Sequence, residues 1–217
     1  MTDKDLYDYD ALRRREVATV YVARVETPTL VLGGHQSPSI LNPRTLSHTP
    51  VRRRRGGGGL VLLRPDDLWI DWWIPCGDAR WSNDVRVSSL LVGSWWASAL
   101  RERTSHAVSV HDGALEGSGA HRVVCFAGRG PGEVFVGDRK AVGLTQWRVR
   151  EGVFVSTVLH TGETSDVLNY LRDVPEGLAA ALDHHTLKSL LIDDRDALVD
   201  ELVSMSSPWD LRSAPAS

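Results

Sequence analysis

Four arginines run straight into four glycines at Arg52–Gly59 (RRRRGGGG), and an apolar stretch, LVLL, follows. Each glycine in an ordered element costs about 0.5–1 kcal/mol relative to alanine. Four in a row therefore point to a backbone that must turn sharply or lie against a ligand. Bare N–H groups in such a loop bind anions and polarised carbonyls. The arginines bring fixed charge and paired donors to the same place. A carboxylate, a phosphate or an acyl phosphate suits that surface. A flexible hairpin loop with basic flanks is the alternative, and the pattern alone does not separate the two. No Gly-Lys-Ser/Thr closes the stretch, so it is not a Walker A loop. Leu60–Ile74 reads as strand and not helix, so it is not a dinucleotide loop either.

The elements that must position this loop belong to one domain. The chain has 217 residues, 42% hydrophobic and 24% charged, the balance of a soluble globular protein. A net charge of −3 gives no global pull towards nucleic acid, and Arg52–Arg55 is a local exception. The two cysteines, Cys76 and Cys125, are too few for a disulfide framework and too far apart for a CxxC metal clip. The start, MTDKDLYDYD, is acidic and lacks the apolar core of a secretory signal. No apolar run reaches the roughly 20 residues needed to span a bilayer. These features lead us to expect a reduced, cytoplasmic setting.

Residues 1–15 read as a flexible N-terminus or short helix, 16–205 as a single catalytic domain, and 206–217 as a tail. EVATVYVARVE (16–26), TLVLG (29–33), Leu60–Leu63 and Leu68–Ile74 read as strands. Ser37-Pro38 can open a short helix. Ser82–Arg103 is the strongest helix, with Ser82 as its cap and the Trp95–Trp96 pair in the core. His106–His111 is a candidate strand. Arg122–Phe126, Glu133–Val136, Arg139–Arg150 and Val153–His160 read as further strands, the later ones as an antiparallel meander. From Ser165 onward the pattern is helical, ending in the amphipathic Asp194–Ser204. The segregation argues for an α+β fold with a mixed, largely antiparallel sheet packed with helices.

Three stretches carry a family resemblance: PTLVLGGHQ (28–36), RRRGGGGLVLL (53–63) and EVFVGDRKAVGLTQWRVREGVFVSTVLH (133–160). Together, over residues 16–172, they resemble the catalytic domain shared by lipoate–protein ligases, octanoyltransferases and biotin–protein ligases. The resemblance implies that Gly57, Gly58 and Gly59, after Arg54 and Arg55, cover an acyl chain and its activated carboxyl. It implies that Lys140 reaches the reacting acyl carbonyl, where an ammonium stabilises developing negative charge. Gln36, Gly143 and Gln146 would stand nearby. Some octanoyltransferases of this superfamily carry a nucleophilic cysteine at about the place of Cys125, fifteen positions before the lysine. A thiolate there could take an acyl group from a carrier thioester and pass it to an amine. The alternative for Cys125 is a buried cysteine ending a strand.

The chain also departs from the family pattern. The Arg-Asn-Asp element of ATP-dependent ligases, whose Asp helps to hold magnesium, is replaced around Gly128–Gly132. The His-Asp after the glycine loop is Leu63-Arg64, and the His-Gly before the last strand is Ser156-Thr157. Asp66, Asp67 and Glu133 are the available substitutes for a metal partner. The resemblance thus implies an enzyme of protein lipoylation. It would attach a lipoyl or octanoyl group to a lysine of a lipoyl carrier domain, by an acyl-adenylate with ATP and Mg or by a Cys125 thioester. An acyl carrier protein is a second possible partner, and nucleic acid and membrane are not expected ones. A non-catalytic paralogue that binds an acyl ligand or carrier domain is the alternative.

Overall fold

Leu68–Pro75 (LWIDWWIP) is buried at every position, as a strand covered on both faces must be. A computed structural model describes residues 4–46, 49–117, 119, 122–185, 187, 192–205, 207 and 210–213. In chain order the elements are β1 (Lys4–Asp5), α1 (Tyr9–Arg13), β2 (Thr19–Ala23), β3 (Thr29–Leu32), β4 (Val51–Arg53), β5 (Val61–Leu63) and β6 (Leu68–Pro75). They continue with α2 (Val85–Arg101), β7 (Val108–Val110), β8 (Val134–Val136), β9 (Arg139–Val149), β10 (Gly152–Leu159), α3 (Leu178–His185), α4 (Arg195–Met205) and β11 (Asp210–Ser213). Short 3-10 turns lie at Pro38–Ile40, Cys125–Ala127 and Thr164–Tyr170.

A large sheet orders its strands β11-β2-β6-β10-β9-β8-β7, antiparallel throughout except for the parallel β11–β2 pair. A small sheet orders β1-β4-β3-β5, with β3 parallel to β4 and antiparallel to β5. The mixed, largely antiparallel α+β architecture is the one the sequence implies. On β6, Leu68, Ile70, Trp72 and Ile74 face the helix layer, where Val92 and Trp96 of α2 and Leu198 and Leu202 of α4 pack. Trp69 and Trp73 face the other way, into a second core with the small sheet, α1 and α3. The Trp96 indole donates to Thr157 Oγ1 at 2.9 Å, and Trp95 lies against Trp72, so the tryptophan pair is core.

The glycine loop is not a hairpin loop. β4 and β5 never pair; they flank β3 on opposite sides, and Arg54–Gly59 crosses between them. The crossing is tight: a Cβ added to Gly33 would stand 2.0 Å from the Gly58 carbonyl oxygen, and Gly58 itself has φ +83°.

Four local expectations differ from what is observed. Residues 4–13 hold the short helix that is one of the two expectations, but they are not a flexible leader: β1 pairs with β4, and Tyr7, Tyr9 and Leu12 are buried. The interleaved acidic residues hide those few aromatics from any periodicity. The cap of α2 is Asp84, whose side chain accepts the Arg86 N–H at 2.8 Å, because Ser82 is spent on the Asp84 amide. Arg122–Phe126 makes no ladder. It touches Leu60 through two backbone bonds and then turns at Cys125. Within the expected tail, Asp210–Ser213 extends the large sheet as β11.

Asp71 lies on the inner face of β6 and is fully buried. It accepts Tyr7 Oη at 2.7 Å, Trp69 Nε1 at 2.7 Å and Thr157 N at 3.0 Å. Burial still wins over these donors and pushes its carboxyl up from 3.8 to about 7. A carboxyl raised on folding holds its proton more tightly in the folded chain. Its ionisation therefore costs stability as pH rises from about 4 to about 7, and the loss is constant above that. Asp71→Asn keeps an acceptor for Trp69 and Thr157 and can donate to Tyr7. Relative to the parent, its melting temperature should climb across that window and then level off. A difference independent of pH would show that Asp71 does not titrate there.

Candidate active site

The two sheets flank an apolar cleft, narrow as it stands at about 40 Å³ and open at its mouth. Val31, Val61 and Leu63 line it from the small sheet, and Trp69, Gly143, Thr145, Ser156 and Val158 from the large one. The cross-strand register explains the large-sheet wall. Val158 faces Gly143 and Trp69, and Ser156 faces Thr145 and Asp71. An apolar row and a polar row thus cross three strands side by side. Cys125 and Arg54 complete the lining.

The Cys125 thiol stands where the glycine loop meets β9. A Cβ added at Gly58 or at Gly143 would lie 3.8 Å from Sγ in either case. At Gly143 it would also meet the Phe126 ring at 3.1 Å, so a bare backbone there leaves room beside the thiol.

Lys140 reaches the same neighbourhood because of a register shift. Val134 pairs with Val142 and Phe135 with Lys140, leaving Ala141 extra. Ala141 and Val142 both turn to the helix layer, and Lys140 is re-aimed to the cleft side. Its ammonium is 1% exposed and donates to Glu133 Oε1 at 2.6 Å, Cys125 O at 2.7 Å and Gly128 O at 3.0 Å. Its contact with Cys125 is therefore through the carbonyl. Burial pushes the Glu133 carboxyl up, and Lys140 and the Gly130 amide only partly offset it.

Arg54 is buried and serves the loop. Nε and Nη2 donate to Gly57 O, Nη2 to Gly59 O at 2.6 Å, and Nη1 to Val31 O. Burial lowers its pKa, and the nearby Cys125 counters this. Thr145 Oγ1 adds a third donor on Gly57 O at 2.9 Å. Arg55 sits at the rim over Tyr9 and Trp147, near Asp5 and Asp10. Gln36 braces the end of β3: it accepts the Gly33 N–H and donates to Val123 O.

Of the residues singled out in the sequence, Cys125, Arg54, Gly58 and Gly143 converge on the cleft, with Lys140 one shell behind. Gln146 does not join them. It points from the other face of β9 to Val85 O and Ser89 Oγ of α2, as strand alternation dictates. Thr145 is not singled out in the sequence, Ser156 is seen there only as a break in the family pattern, and Glu133 reads there as a metal substitute and not as the counter-ion of Lys140.

The three candidate metal carboxylates do not gather. Asp67 is bound to His160 and to the Arg64 and Thr161 amides, Glu133 is paired with Lys140, and Asp66 is exposed near Arg195. Among the described residues no three His, Cys, Asp or Glu side chains group as metal ligands. No described helix is long and apolar enough to cross a membrane.

No protein-family model and no curated protein sequence matches the chain. Solved structures do. Protein Ta0514 of Thermoplasma acidophilum, solved with bound lipoic acid, superposes with a TM-score of 0.70 at 14% identity, over 98% of this chain and 88% of that one. A lipoate-protein ligase A bound with ATP gives 0.70 at 16%, over 94% and 80%. The chain has the lipoate–protein ligase fold. A bipartite lipoate protein ligase from Thermoplasma acidophilum, analysed with its E2 lipoyl domain, gives 0.67 at 15%, over 96% and 79%. The likeness extends through the fold's core, and at these identities the site must be judged from its own residues.

The buried ion pair can be tested by itself. Lys140→Met strands the Glu133 carboxylate and should cost about 3–5 kcal/mol in urea unfolding. Adding Glu133→Gln should restore much of that. A double variant no more stable than Lys140→Met would show that the two charges are not coupled.

Proposed function

We propose that the chain transfers a lipoyl or octanoyl group to the ε-amine of a lysine on a lipoyl carrier domain, through a thioester on Cys125. What supports this most directly is the Cys125 thiol in the wall of an apolar cleft, between the glycine loop and Gly143. The thiolate attacks the carbonyl carbon of a donor thioester. The bond from that carbon to the donor sulfur breaks, and the donor leaves as a thiolate, which takes up the proton that Cys125 gave up. The acceptor lysine, as free amine, then attacks the acyl–Cys125 carbonyl. The amide forms, the bond to Cys125 breaks, and the amine's proton passes to the departing thiolate. The cleft holds the apolar tail and keeps water from the thioester.

Lipoic acid, ATP and an E2 lipoyl domain are what the structural neighbours were solved or analysed with, and they suggest this acyl class and this partner. A ligase route would activate the free acid with ATP and Mg. The carboxylates here do not form a magnesium set, and Lys140 and Arg54 have their donors turned inward, so the transfer route fits the residues better. The same inward-turned cations favour a second reading, an acyl-binding paralogue without turnover.

Intact-protein mass spectrometry separates these readings. With octanoyl-loaded acyl carrier protein, the parent should gain one octanoyl group, labile to hydroxylamine, and Cys125→Ala should gain none. An apo lipoyl domain added afterwards should carry the group away on its lysine. ATP-dependent modification of the lipoyl domain by Cys125→Ala would instead select the ligase. Acyl binding with no adduct and no product would select the paralogue.

A further inference from the structure

Attack of Cys125 on a thioester turns a carbonyl oxygen into an oxyanion, and that charge needs hydrogen-bond donors already in place. The two buried cations near the Cys125 turn have most of their donors committed elsewhere. Lys140 directs its three hydrogens to Glu133, Cys125 O and Gly128 O. Arg54 spends four of its five N–H groups on the carbonyls of Val31, Gly57 and Gly59. The amides of Gly57, Gly58 and Gly59 are different: among the described residues none of them has an acceptor. A trans peptide points its C=O and the following N–H in opposite directions. The Gly58 carbonyl is turned onto Gly33 at the end of β3. The Gly59 N–H therefore points away from Gly33, and the loop passes the thiol here: a Cβ on Gly58 would stand 3.8 Å from Cys125 Sγ.

We propose that the Gly59 N–H, on the thioester reading above, receives the oxyanion of the Cys125 reaction, and that Lys140 is a positioning residue holding the Cys125–Ala127 turn. A neutral donor at this place suits a carbonyl that becomes anionic only in the transition state. It selects uncharged thioesters over acyl phosphates, whose standing charge asks for a free cation.

Alanine cannot test this, because a Cβ at Gly59 would stand 2.7 Å from Arg122 O and Val124 N. Glycolate in place of Gly59 changes the amide to an ester and removes only the N–H. The donor is S-octanoyl-N-acetylcysteamine, a small uncharged thioester, and the readout is the rate of Cys125 acylation. The ester at 59 should slow acylation by about 10²-fold with little change in KM. Glycolate in place of Gly77, in the turn after β6 and outside the cleft lining, should match the parent. Parent-like acylation by the ester at 59 would overturn the inference and return the oxyanion to Lys140. A parent that forms no adduct would overturn the thioester reading itself.

A second variant guards against a loop that fails to fold around the ester. Glu133→Gln with Lys140→Met removes the buried charge pair together. If Lys140 only positions the turn, acylation should fall by no more than about tenfold and keep its pH profile. A fall of about 10³-fold would place Lys140 on the oxyanion instead.

Discussion

Charge buried between the two sheets is the constraint around which this molecule is arranged. Arg54, Asp71, Glu133 and Lys140 are each less than 5% exposed. An unanswered charge in such a place costs several kcal/mol, so each has drawn polar partners from several elements. Arg54 fastens the glycine loop to β3. Asp71 joins β6, β10 and the N-terminal segment through Thr157 and Tyr7. Lys140 and Glu133 tie β9 to the turn that carries Cys125. The cleft is what remains between these fastenings, and its walls are rigid because the charges behind them cannot be released cheaply.

This arrangement separates holding from reacting. Arg54 and Lys140 turn their donors inward, to backbone carbonyls and a carboxylate. What faces the cleft is a thiol, two hydroxyls and backbone. The fold itself does not dictate which groups face the cleft, because that is decided by a few side chains on β9, β10, the Cys125 turn and the glycine loop.

Much of this was legible in the sequence. The Arg-Gly run and the segment around Lys140 carried enough order and spacing to point to the fold, and alternating apolar residues placed most strands. What could not be read was set by long-range contact. Tyr7 and Tyr9 look like a polar leader until β6 and Trp147 are beside them. Val123-Val124-Cys125 has strand propensity, but the Leu60 backbone gives it only two bonds before it turns. Gln146 looked like a neighbour of Lys140 because sequence distance ignores which face of β9 a residue takes. Glu133 was read as a possible metal partner. Only the three-dimensional neighbourhood reveals it as the counter-ion of Lys140.

The register shift opposite Ala141 gives β9 something like a reading frame. On one side of the shift, residues are assigned to the helix layer by odd–even count; on the other, the count is reversed. Lys140 and Gly143 share the cleft face only because one residue is skipped between them. Regular pairing of the same residues, with none skipped, would carry Lys140 into the apolar layer against α2 and leave Glu133 facing nothing. Most surface loops in such a fold tolerate changes of length, but here the spacing and the shift are matched to each other. A chain that kept every motif residue and lost only the skip would keep the fold's outline and lose this buried ion pair.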